Sequence, residues 1–251
     1  MLTAERRQLI LSKLDRDRRV VAAELSAELA VSQDTIRRDL RELAAAGKAQ
    51  RVHGGALLPT TTPLDHRERE QRASEGKRRI ARRAAQMIPS GQVVFFDSGT
   101  TTLQVAEHLD PSLRARVVTN SLPVGARLAD HPGLEVSLIG GQLDKNLLAT
   151  GGSAAADSLR FVRADLCVLG TAGLHPELGA SVLDPEDAYR KRLMVEGSAE
   201  VLLVADQEKL GTSAPFLVCS LDAITRLVTD AEPDDDRLSA YRSLGIEIIC
   251  A

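Results

Sequence analysis

Two helical patterns near the N-terminus constrain the fold more than any other feature, because only Ala30 and Val31 separate them. The first pattern covers residues 21–29 and places Leu25 and Leu29 on one face, as a helix packed against a core requires. So short a connection makes the two helices turn sharply against each other. The sequence therefore predicts a helix-turn-helix.

The second helix of this motif begins at Ser32, whose hydroxyl can accept a free backbone N–H of the first turn. Gly47 is expected to end the helix, because glycine readily adopts the left-handed conformation found after helix C-termini. Between them, apolar residues recur at helical spacing and the opposite face is polar. The apolar stripe is Ile36, Leu40 and Leu43, and the opposite face carries Gln33, Arg37, Arg38 and Arg41.

A short basic segment at residues 48–56 follows the second helix and has the pattern of a β-hairpin. Gly54 and Gly55 allow the positive φ of a tight turn. A hairpin at this position is typical of the wing in a winged helix-turn-helix. The side chains of the wing that could reach DNA phosphates are Lys48, Arg51 and His53.

The distribution of charge agrees with DNA binding by this head. Residues 1–56 carry 11 basic and 8 acidic side chains, whereas the rest of the chain carries 21 and 27. A mildly basic head on an acidic body suits a protein in which the head contacts the DNA phosphates and the body does not. An ordinary helical hairpin remains the alternative, since Asp34 and Arg38 could form no more than a surface ion pair.

Several classes of function find no support in the composition. The three cysteines, Cys167, Cys219 and Cys250, form no zinc or redox motif, so no metal or cofactor is predicted. Aromatic residues make up only 2% of the chain, which argues against stacking platforms for single-stranded nucleic acid. Neither a signal peptide nor the ~20 apolar residues of a membrane span is visible. We therefore expect a cytoplasmic protein.

The pattern of the chain changes twice after the head. Residues 57–63 are poor in apolar side chains and rich in threonine and proline, which is typical of a linker. From Lys77 a helical pattern resumes, and from Gln92 apolar strands alternate with helices. This alternation predicts an α/β domain with a mostly parallel sheet covered on both faces. The predicted units are the head at residues 1–56, a linker at 57–76 and the body at 77–251.

From Gln92 onward, the body contains seven predicted strands and five predicted helices. The strands cover residues 93–96, 116–119, 135–139, 166–169, 201–204, 226–228 and 247–249, and the helices lie at 101–109, 123–129, 153–159, 185–197 and 235–244. In such sheets, ligands bind at the carboxyl ends of the strands. Several of these strands are followed directly by glycine or small polar residues, which marks that edge as the candidate site.

The strongest candidate follows the first strand of the body, at Asp97-Ser98-Gly99-Thr100-Thr101-Thr102. Hydroxyls, backbone N–H groups and a helix N-terminus coincide there, which suits a phosphate group. The stretch lacks the lysine of a nucleoside-triphosphate loop and the spaced glycines of a dinucleotide loop, so neither ligand is predicted. A plain strand-to-helix turn capped by serine or threonine remains the alternative.

Together these segments resemble the DeoR family of bacterial transcriptional regulators. In the head the resemblance is carried by Val31-Ser32, Thr35-Ile36-Arg37-Arg38-Asp39-Leu40, Leu43, Gly47 and Arg51-Val52-His53-Gly54-Gly55-Ala56. In the body it is carried by Asp97-Ser98-Gly99-Thr100-Thr101, Thr119-Asn120-Ser121, Gly140-Gly141, Lys191-Arg192-x-Met194 and Ala205-Asp206-x-x-Lys209. The family couples a winged helix-turn-helix to a sensor of phosphorylated sugars, and that sensor is similar to ribose-5-phosphate isomerase.

The resemblance implies a repressor of a carbohydrate-metabolism operon that binds double-stranded operator DNA as a dimer or tetramer. The residues expected to contact DNA are Ser32, Gln33, Thr35, Arg37, Arg38, Arg41, Lys48, Arg51 and His53. The sugar phosphate would be held by Ser98, Gly99, Thr100 and Thr101. The rest of the effector site would comprise Asp97, Asn120, Gly140, Gly141, Lys191, Asp206 and Lys209.

Structural roles remain open for three of these residues. Asp206 could cap the next turn, Lys209 could be a surface charge, and Asp97 could accept from neighbouring backbone N–H groups. A sugar-phosphate isomerase with a DNA-binding head is the alternative function, because the same three residues can move protons. We predict a regulator and assign no catalytic residue, since similarity of fold does not carry activity.

Overall fold

The computed structural model describes residues 2–62, 65–72 and 75–251. Four residues of the predicted linker, Pro63, Leu64, Ala73 and Ser74, lie outside the described residues. The described chain consists of a small N-terminal head and a body built on a seven-stranded sheet. The predicted fold class, a winged helix-turn-helix followed by an α/β domain, is confirmed.

Within residues 2–62 the head contains three helices and three short strands. The helices are α1 (Thr3–Asp17), α2 (Ala22–Glu28) and α3 (Gln33–Ala45), and the strands are β1 (Arg19–Val21), β2 (Gln50–Val52) and β3 (Gly55–Leu57). The strands form one antiparallel sheet in the order β1-β3-β2. Between β2 and β3, Gly54 adopts a φ of 83°, which glycine tolerates without strain. This hairpin is the wing.

Local capping sets both ends of α3. The Ser32 hydroxyl accepts the Thr35 N–H at 3.2 Å. At the other end Gly47 has a φ of 69°, and Lys48 donates its N–H to the Leu43 carbonyl at 2.9 Å. These contacts stabilise the helix because they satisfy backbone groups that have no partner within it. The buried side chains that join the helices of the head include Ile10, Leu14, Leu25, Ile36, Leu40 and Leu43.

A connector, defined here as residues 58–72, joins the head to the body. It contains helix α4 (His66–Gln71), and helix α5 (Glu75–Ala85) follows it. One face of α5 is apolar, with Ile80, Ala81 and Ala84 fully buried against the sheet of the body. The connector therefore leads directly into the core of the second domain.

The body alternates strands and helices along the chain. Its elements are β4 (Val93–Phe96), α6 (Thr100–Glu107), β5 (Ala115–Thr119), α7 (Leu122–Leu128), β6 (Leu134–Leu138), β7 (Gln142–Asp144), β8 (Ala149–Gly151), α8 (Gly152–Arg160), β9 (Ala164–Gly170), β10 (Gly173–His175), β11 (Gly179–Val182), α9 (Pro185–Glu196), β12 (Ser198–Val204), β13 (Phe216–Cys219), β14 (Arg226–Thr229), α10 (Leu238–Arg242) and β15 (Glu247–Cys250). All seven predicted strands are present. The five short strands β7, β8, β10, β11 and β13 were not predicted.

The main sheet is parallel and has the order β15-β14-β12-β9-β4-β5-β6. From β4 the chain adds β5 and β6 on one side, and it then returns to the other side of β4 to add β9, β12, β14 and β15. The direction of winding therefore reverses between β4 and β9. Ligands of such sheets bind outside the carboxyl ends of the strands at this reversal.

Helices cover both faces of the sheet, as the alternation of elements predicts. Consecutive residues of β4 point to opposite sides, so that Phe95 packs in one buried cluster while Val94 and Phe96 pack in another. Among the described residues, each helix is too short or too polar to cross a lipid bilayer.

Candidate functional site

Four arginines of the head lie together on one concave surface. Three belong to α3 and one to the wing, and Asp34 lies beside them; the arginines are Arg37, Arg38, Arg41 and Arg51. All four are exposed. Clustered arginines on an exposed helix attract phosphate and can pair with guanine. The fold therefore presents a basic surface on the helix and hairpin that the sequence predicts as the DNA-contacting elements.

The arginines of α3 differ in their partners. The Arg37 guanidinium lies 3.3 Å from Asp34 Oδ1 and 3.4 Å from Gln33 Oε1, so part of its donor capacity is used within the helix. Arg41 donates to the Arg37 carbonyl at 3.3 Å. Arg38 has no side-chain partner among the described residues, although the sequence alternative paired it with Asp34. It is the α3 arginine most available to a base edge.

The remaining residues predicted to contact DNA lie at the start of α3, in the turn after it and in the wing. Ser32 and Thr35 lie in the first turn of α3, where they bond to each other and cap the helix. Lys48 lies in the exposed turn between α3 and β2, and His53 lies at the tip of the wing. The cavity between the wing and α3 is lined by Arg37, Arg51 and His53 among others. The structure thus places Arg37, Arg51 and His53 around one cavity of the head, and the DNA contacts of the whole set stay a prediction.

The acidic residue of the same motif faces the opposite way. Asp39 is 1% exposed and accepts hydrogen bonds from Arg6 Nε at 2.5 Å and Arg7 Nε at 3.0 Å. Burial by itself would raise the pKa of Asp39, but the two arginine hydrogen bonds outweigh it and lower the pKa. Asp39 therefore joins α1 to α3 and does not belong to the exposed arginine surface.

The loop that the sequence predicts as a phosphate site connects β4 to the start of α6. Thr102 closes the loop, since its hydroxyl donates to the Asp97 carbonyl at 2.7 Å and accepts the Gly99 N–H at 2.8 Å. Ser98 is 3% exposed, and its Oγ has no hydrogen-bond partner among the described residues. A buried hydroxyl without a partner costs free energy. The Ser98 hydroxyl lies near the start of α6, where the first N–H groups of the helix have no partner within it.

Directly behind this loop, Asp97 and Lys191 form a buried ion pair. Lys191 on α9 donates to Asp97 Oδ2 and, at 3.2 Å, to the Gly170 carbonyl. The Gly170 N–H donates to the same Asp97 oxygen at 3.0 Å. Asp97 is 1% and Lys191 4% exposed. Both residues are thus already paired, and they join β4, β9 and α9 beneath the loop.

A cavity lies above the loop, between the carboxyl edge of the sheet and the connector. Its outer part encloses about 410 Å³ and its inner part about 30 Å³. The residues that line both parts are Thr62, Arg69, Thr100 and Lys209. Because two of these come from the connector, the connector forms one wall of the cavity.

The predicted effector residues divide into two groups. Those that line the cavity are Ser98, Gly99, Thr100, Thr101, Lys191, Asp206 and Lys209. Those that do not are Asp97, Asn120, Gly140 and Gly141. Asn120 is buried and donates to the Thr150 carbonyl at 3.0 Å, while its Oδ1 has no partner in the described part of the chain. Gly140 and Gly141 lie in an exposed loop, where Gly141 packs closely against the backbone of Gly151.

Six charged residues that line the cavity were not predicted: Arg69, Arg72, Lys77, Asp187, Glu208 and Asp230. Arg69 and Lys77 line its connector side, and burial lowers the pKa of both side chains. Asp187 on α9 lines the inner part, and burial raises the pKa of its carboxyl although Lys191 acts in the opposite direction. No local pattern distinguishes Arg69 from the exposed charges around it in the sequence. Only the approach of the connector to the sheet identifies it.

Comparison with known proteins agrees with this geometry. A family model described as "DeoR-like helix-turn-helix domain" matches residues 6–62, and one described as "DeoR C terminal sensor domain" matches residues 72–231.

This chain belongs to the DeoR family of transcriptional regulators.

Two curated DeoR-type relatives match over nearly the whole chain. The HTH-type transcriptional regulator GlpR of Haloferax volcanii is 39% identical over 99% of this chain and 98% of its own. The glycerol-3-phosphate regulon repressor of Escherichia coli K12 is 35% identical over 93% of both chains. These relatives are regulators, so the prediction of a DNA-binding regulator that is not an enzyme is confirmed.

Among solved structures, the full-length sorbitol operon regulator SorC of Klebsiella pneumoniae covers 82% of this chain and 95% of its own. Its identity is 12% and its TM-score 0.39. Ribose 5-phosphate isomerase A of Neisseria gonorrhoeae covers 56% of this chain and 53% of its own, with 16% identity and a TM-score of 0.39.

Proposed function

We propose that this DeoR-family regulator represses a carbohydrate-metabolism operon in the cytoplasm and is controlled by a phosphorylated sugar. The observation that carries the DNA-binding part is the single exposed surface formed by Arg37, Arg38 and Arg41 of α3 with Arg51 of the wing. The name of the Escherichia coli relative supports a small phosphorylated polyol or sugar as the effector.

In this proposal α3 enters the major groove of the operator. A helix of 13 residues is about 20 Å long and fits the groove with its polar face toward the base edges. Arg38 would read a guanine, because its side chain has no competing partner among the described residues. Arg51 and Lys48 of the wing would contact phosphates and hold the helix in register.

Replacing Arg38 by alanine is expected to weaken operator binding by about 1–3 kcal/mol, since one bidentate arginine–guanine pair contributes that much discrimination. The operator is first recovered by sequencing the genomic fragments that the wild-type protein retains. Fluorescence anisotropy on that fragment then measures the affinity. Arg127→Ala, at an exposed arginine of α7 in the body, is the matched control and should bind as wild type.

The wing variant Arg51→Ala separates base contacts from phosphate contacts in the same assay. It should weaken operator and unrelated DNA alike and reduce the slope of log affinity against log salt by about 1. Arg38→Ala should instead reduce the ratio of operator to unrelated binding. Unchanged operator affinity in Arg38→Ala would contradict the assigned role of α3.

We propose that the effector phosphate lies at the start of α6. The support is the buried, unpartnered Ser98 hydroxyl together with the N–H groups of Thr100 and Thr101 at a helix N-terminus. Lys209, which lines both parts of the cavity, supplies positive charge beside them. The sugar hydroxyls would extend into the outer part of the cavity toward Asp206.

Phosphorylated sugars are expected to stabilise the full chain, whereas their unphosphorylated forms are not. At a ligand concentration 100 times the dissociation constant, the stabilisation is about 2.7 kcal/mol. A thermal-shift screen with glycerol 3-phosphate, glucose 6-phosphate and fructose 1-phosphate, each beside its parent compound, measures this. Ser98→Ala should reduce the shift. Absence of binding across the panel by calorimetry would argue against the effector site.

We further propose that the protein binds DNA as a dimer or tetramer. One head covers a single half-site of small area, so useful affinity requires two heads on repeated half-sites. Light scattering that reports the mass of a single chain at DNA-binding concentrations would contradict this.

A further inference from the structure

We propose that Arg69, on the connector between the two domains, binds the effector phosphate directly and so makes the position of the connector depend on the ligand. This inference rests on the proposed function, because it assigns a further binding residue and a regulatory role to the same cavity. No other residue of α4 lines that cavity's inner part among those described.

The first support is the unsatisfied guanidinium of Arg69. Its Nε and Nη2 atoms are buried and have no hydrogen-bond partner among the described residues. By contrast, Arg67 on the same helix is exposed to solvent, and Arg72, just after it, pairs with Glu68 at 2.8 Å. A buried cation without hydrogen bonds is unfavourable, and here burial lowers the pKa of Arg69 despite the pull of Asp187 and Asp97. The side chain therefore lacks an acceptor group.

The second support is the position of Arg69 opposite the phosphate loop. It lines the inner part of the cavity together with Ser98, Thr100 and Thr101. The buried Ser98 Oγ also has no partner in the described chain. Two unsatisfied polar groups thus face one small space from two different elements. A phosphate supplies several acceptor oxygens and matches the planar fork of an arginine. One phosphate group would satisfy both.

The third support is how the connector is otherwise held. Thr60 and Thr62 donate hydroxyl hydrogen bonds to the Ala172 carbonyl at 2.6 and 3.2 Å, and His66 donates its N–H to the Asn146 carbonyl at 2.6 Å. Among the described residues, the His66 bond is the one hydrogen bond between α4 and the body. A ligand that bridges α6 and Arg69 adds a further one, so it favours the arrangement in which α4 covers the cavity.

Hydrogen bonds also link the connector to the wing through residues 213 and 214 of the body. Gln50 on β2 donates from Nε2 to the Ala214 carbonyl at 3.3 Å and accepts from the Ser213 hydroxyl at 3.0 Å. Thr60 donates its N–H to the Ser213 carbonyl at 3.0 Å. The wing, the connector and the segment that follows Lys209 are therefore one bonded group. A ligand that holds the connector at the cavity biases the orientation of the DNA-binding head.

The test uses the full chain and the variants Arg69→Gln and Arg69→Lys, with Arg67→Gln as the matched control on the exposed side of α4. Calorimetry measures binding of glycerol 3-phosphate, glucose 6-phosphate, fructose 1-phosphate and inorganic phosphate. We expect Arg69→Gln to weaken the phosphorylated ligands that wild type binds by about tenfold or more, because a charge-assisted pair is lost. The affinity of Arg69→Lys should lie between those of wild type and Arg69→Gln. The affinity of Arg67→Gln should equal that of wild type.

Two further measurements separate a binding role from a structural one. Without ligand, Arg69→Gln should melt at the wild-type temperature or above it, because two buried guanidinium nitrogens that have no partner among the described residues are removed. Hydrogen exchange of residues 65–72 should slow when a saturating phosphorylated ligand is added to wild type, but not when it is added to Arg69→Gln. A lower melting temperature with unchanged affinity would assign Arg69 a structural role and overturn the inference.

The outcomes also distinguish this inference from the proposed function. Weak binding by Ser98→Ala with wild-type binding by Arg69→Gln would overturn the role of Arg69 and leave the effector site in place. Absence of binding by the wild-type chain would overturn both. Weak binding by Arg69→Gln, together with loss of the exchange protection, would support the connector as part of the sensor.

Discussion

Replacing Asp39 by alanine is expected to destabilise the head by about 3–5 kcal/mol and to abolish operator binding, although Asp39 lies outside the surface proposed to contact DNA. Removal of one partner from a buried ion pair leaves the other charge uncompensated, and losses of this size follow. Arg6, which is 8% exposed, would lose its acceptor. The contact between α1 and α3 would then weaken.

The change can be measured on the full chain without separating the head. Hydrogen exchange of residues 2–62 reports the stability of the head, and anisotropy on the operator reports binding. Asp34→Ala is the matched control, because Asp34 lies on the same helix and its side chain is 88% exposed in its pair with Arg37. Exposed pairs of this kind contribute about 0–1 kcal/mol. Equal protection of the head in both variants would contradict the role of Asp39.

The same pair gives the head a defined dependence on acid. The pKa of Asp39 is lower in the folded chain than in the unfolded chain, because the arginine hydrogen bonds outweigh the effect of burial. The stabilisation is therefore fully present above the ordinary aspartate pKa of about 3.9 and is lost as the pH falls through the lower folded value. Asp39→Asn should remove this part of the acid dependence.

Replacing Lys191 by methionine is expected to destabilise the body by about 3–5 kcal/mol, for the same physical reason in a different place. Methionine has nearly the shape of lysine, so the change removes the charge and leaves the packing of α9. The Asp97 carboxylate would keep the Gly170 N–H at 3.0 Å but lose the ammonium group on the same oxygen. Because this pair joins three elements, the carboxyl edge of the sheet should loosen.

Urea unfolding of the full chain measures this effect, with Lys145→Met at an exposed lysine after β7 as the control. The free energy of unfolding of the control should lie within about 0.5 kcal/mol of the wild-type value. The double variant Asp97→Asn with Lys191→Met should recover part of the loss, because the uncompensated carboxylate is gone. If the single Lys191 variant were as stable as the control, the pair would have no structural role, and Lys191 would be available to a ligand.

The motif at the centre of α3 shows what a sequence pattern can and cannot separate. Arg37, Arg38 and Asp39 are adjacent in the sequence and together indicate the family. In a helix, adjacent residues point in directions about 100° apart, so Arg38 faces solvent while Asp39 faces α1. The periodicity of Ile36, Leu40 and Leu43 predicted the buried face. The partner of Asp39 could not be predicted, because Arg6 is 33 residues away along the chain. Arginine is also a residue type that is usually exposed.

In the body, too, some elements could be predicted from the sequence and others could not. Seven continuous apolar segments predicted all the strands of the main sheet, because a parallel strand buried on both faces needs such a segment. The short strands β10, β11 and β13 escaped prediction. They have three or four residues each, and although β10 and β11 form a local hairpin, the partner of β11 on its other side, β13, is more than 30 residues away along the chain. Their positions could be read only from the folded chain.

The candidate site was predictable where its chemistry is local. A serine, a glycine and threonines between a strand and a helix indicate a phosphate loop, because the N–H groups and hydroxyls come from consecutive residues. Gly140 and Gly141 follow a strand in the same way, yet they lie outside the cavity because β6 is at the edge of the sheet. Arg69 lines it because the connector folds back over the switch between β4 and β9.

Periodicity, capping and turn residues were sufficient to predict a winged head, an α/β body and the loop that begins α6, since each depends on neighbours along the chain. Tertiary folding alone pairs Asp39 with Arg6 and Asp97 with Lys191, and it alone brings Arg69 to the cavity beside the loop that begins α6. The physical reason is that a charged side chain affects stability strongly only when it is buried. Its burial depends on which distant segments of the chain surround it.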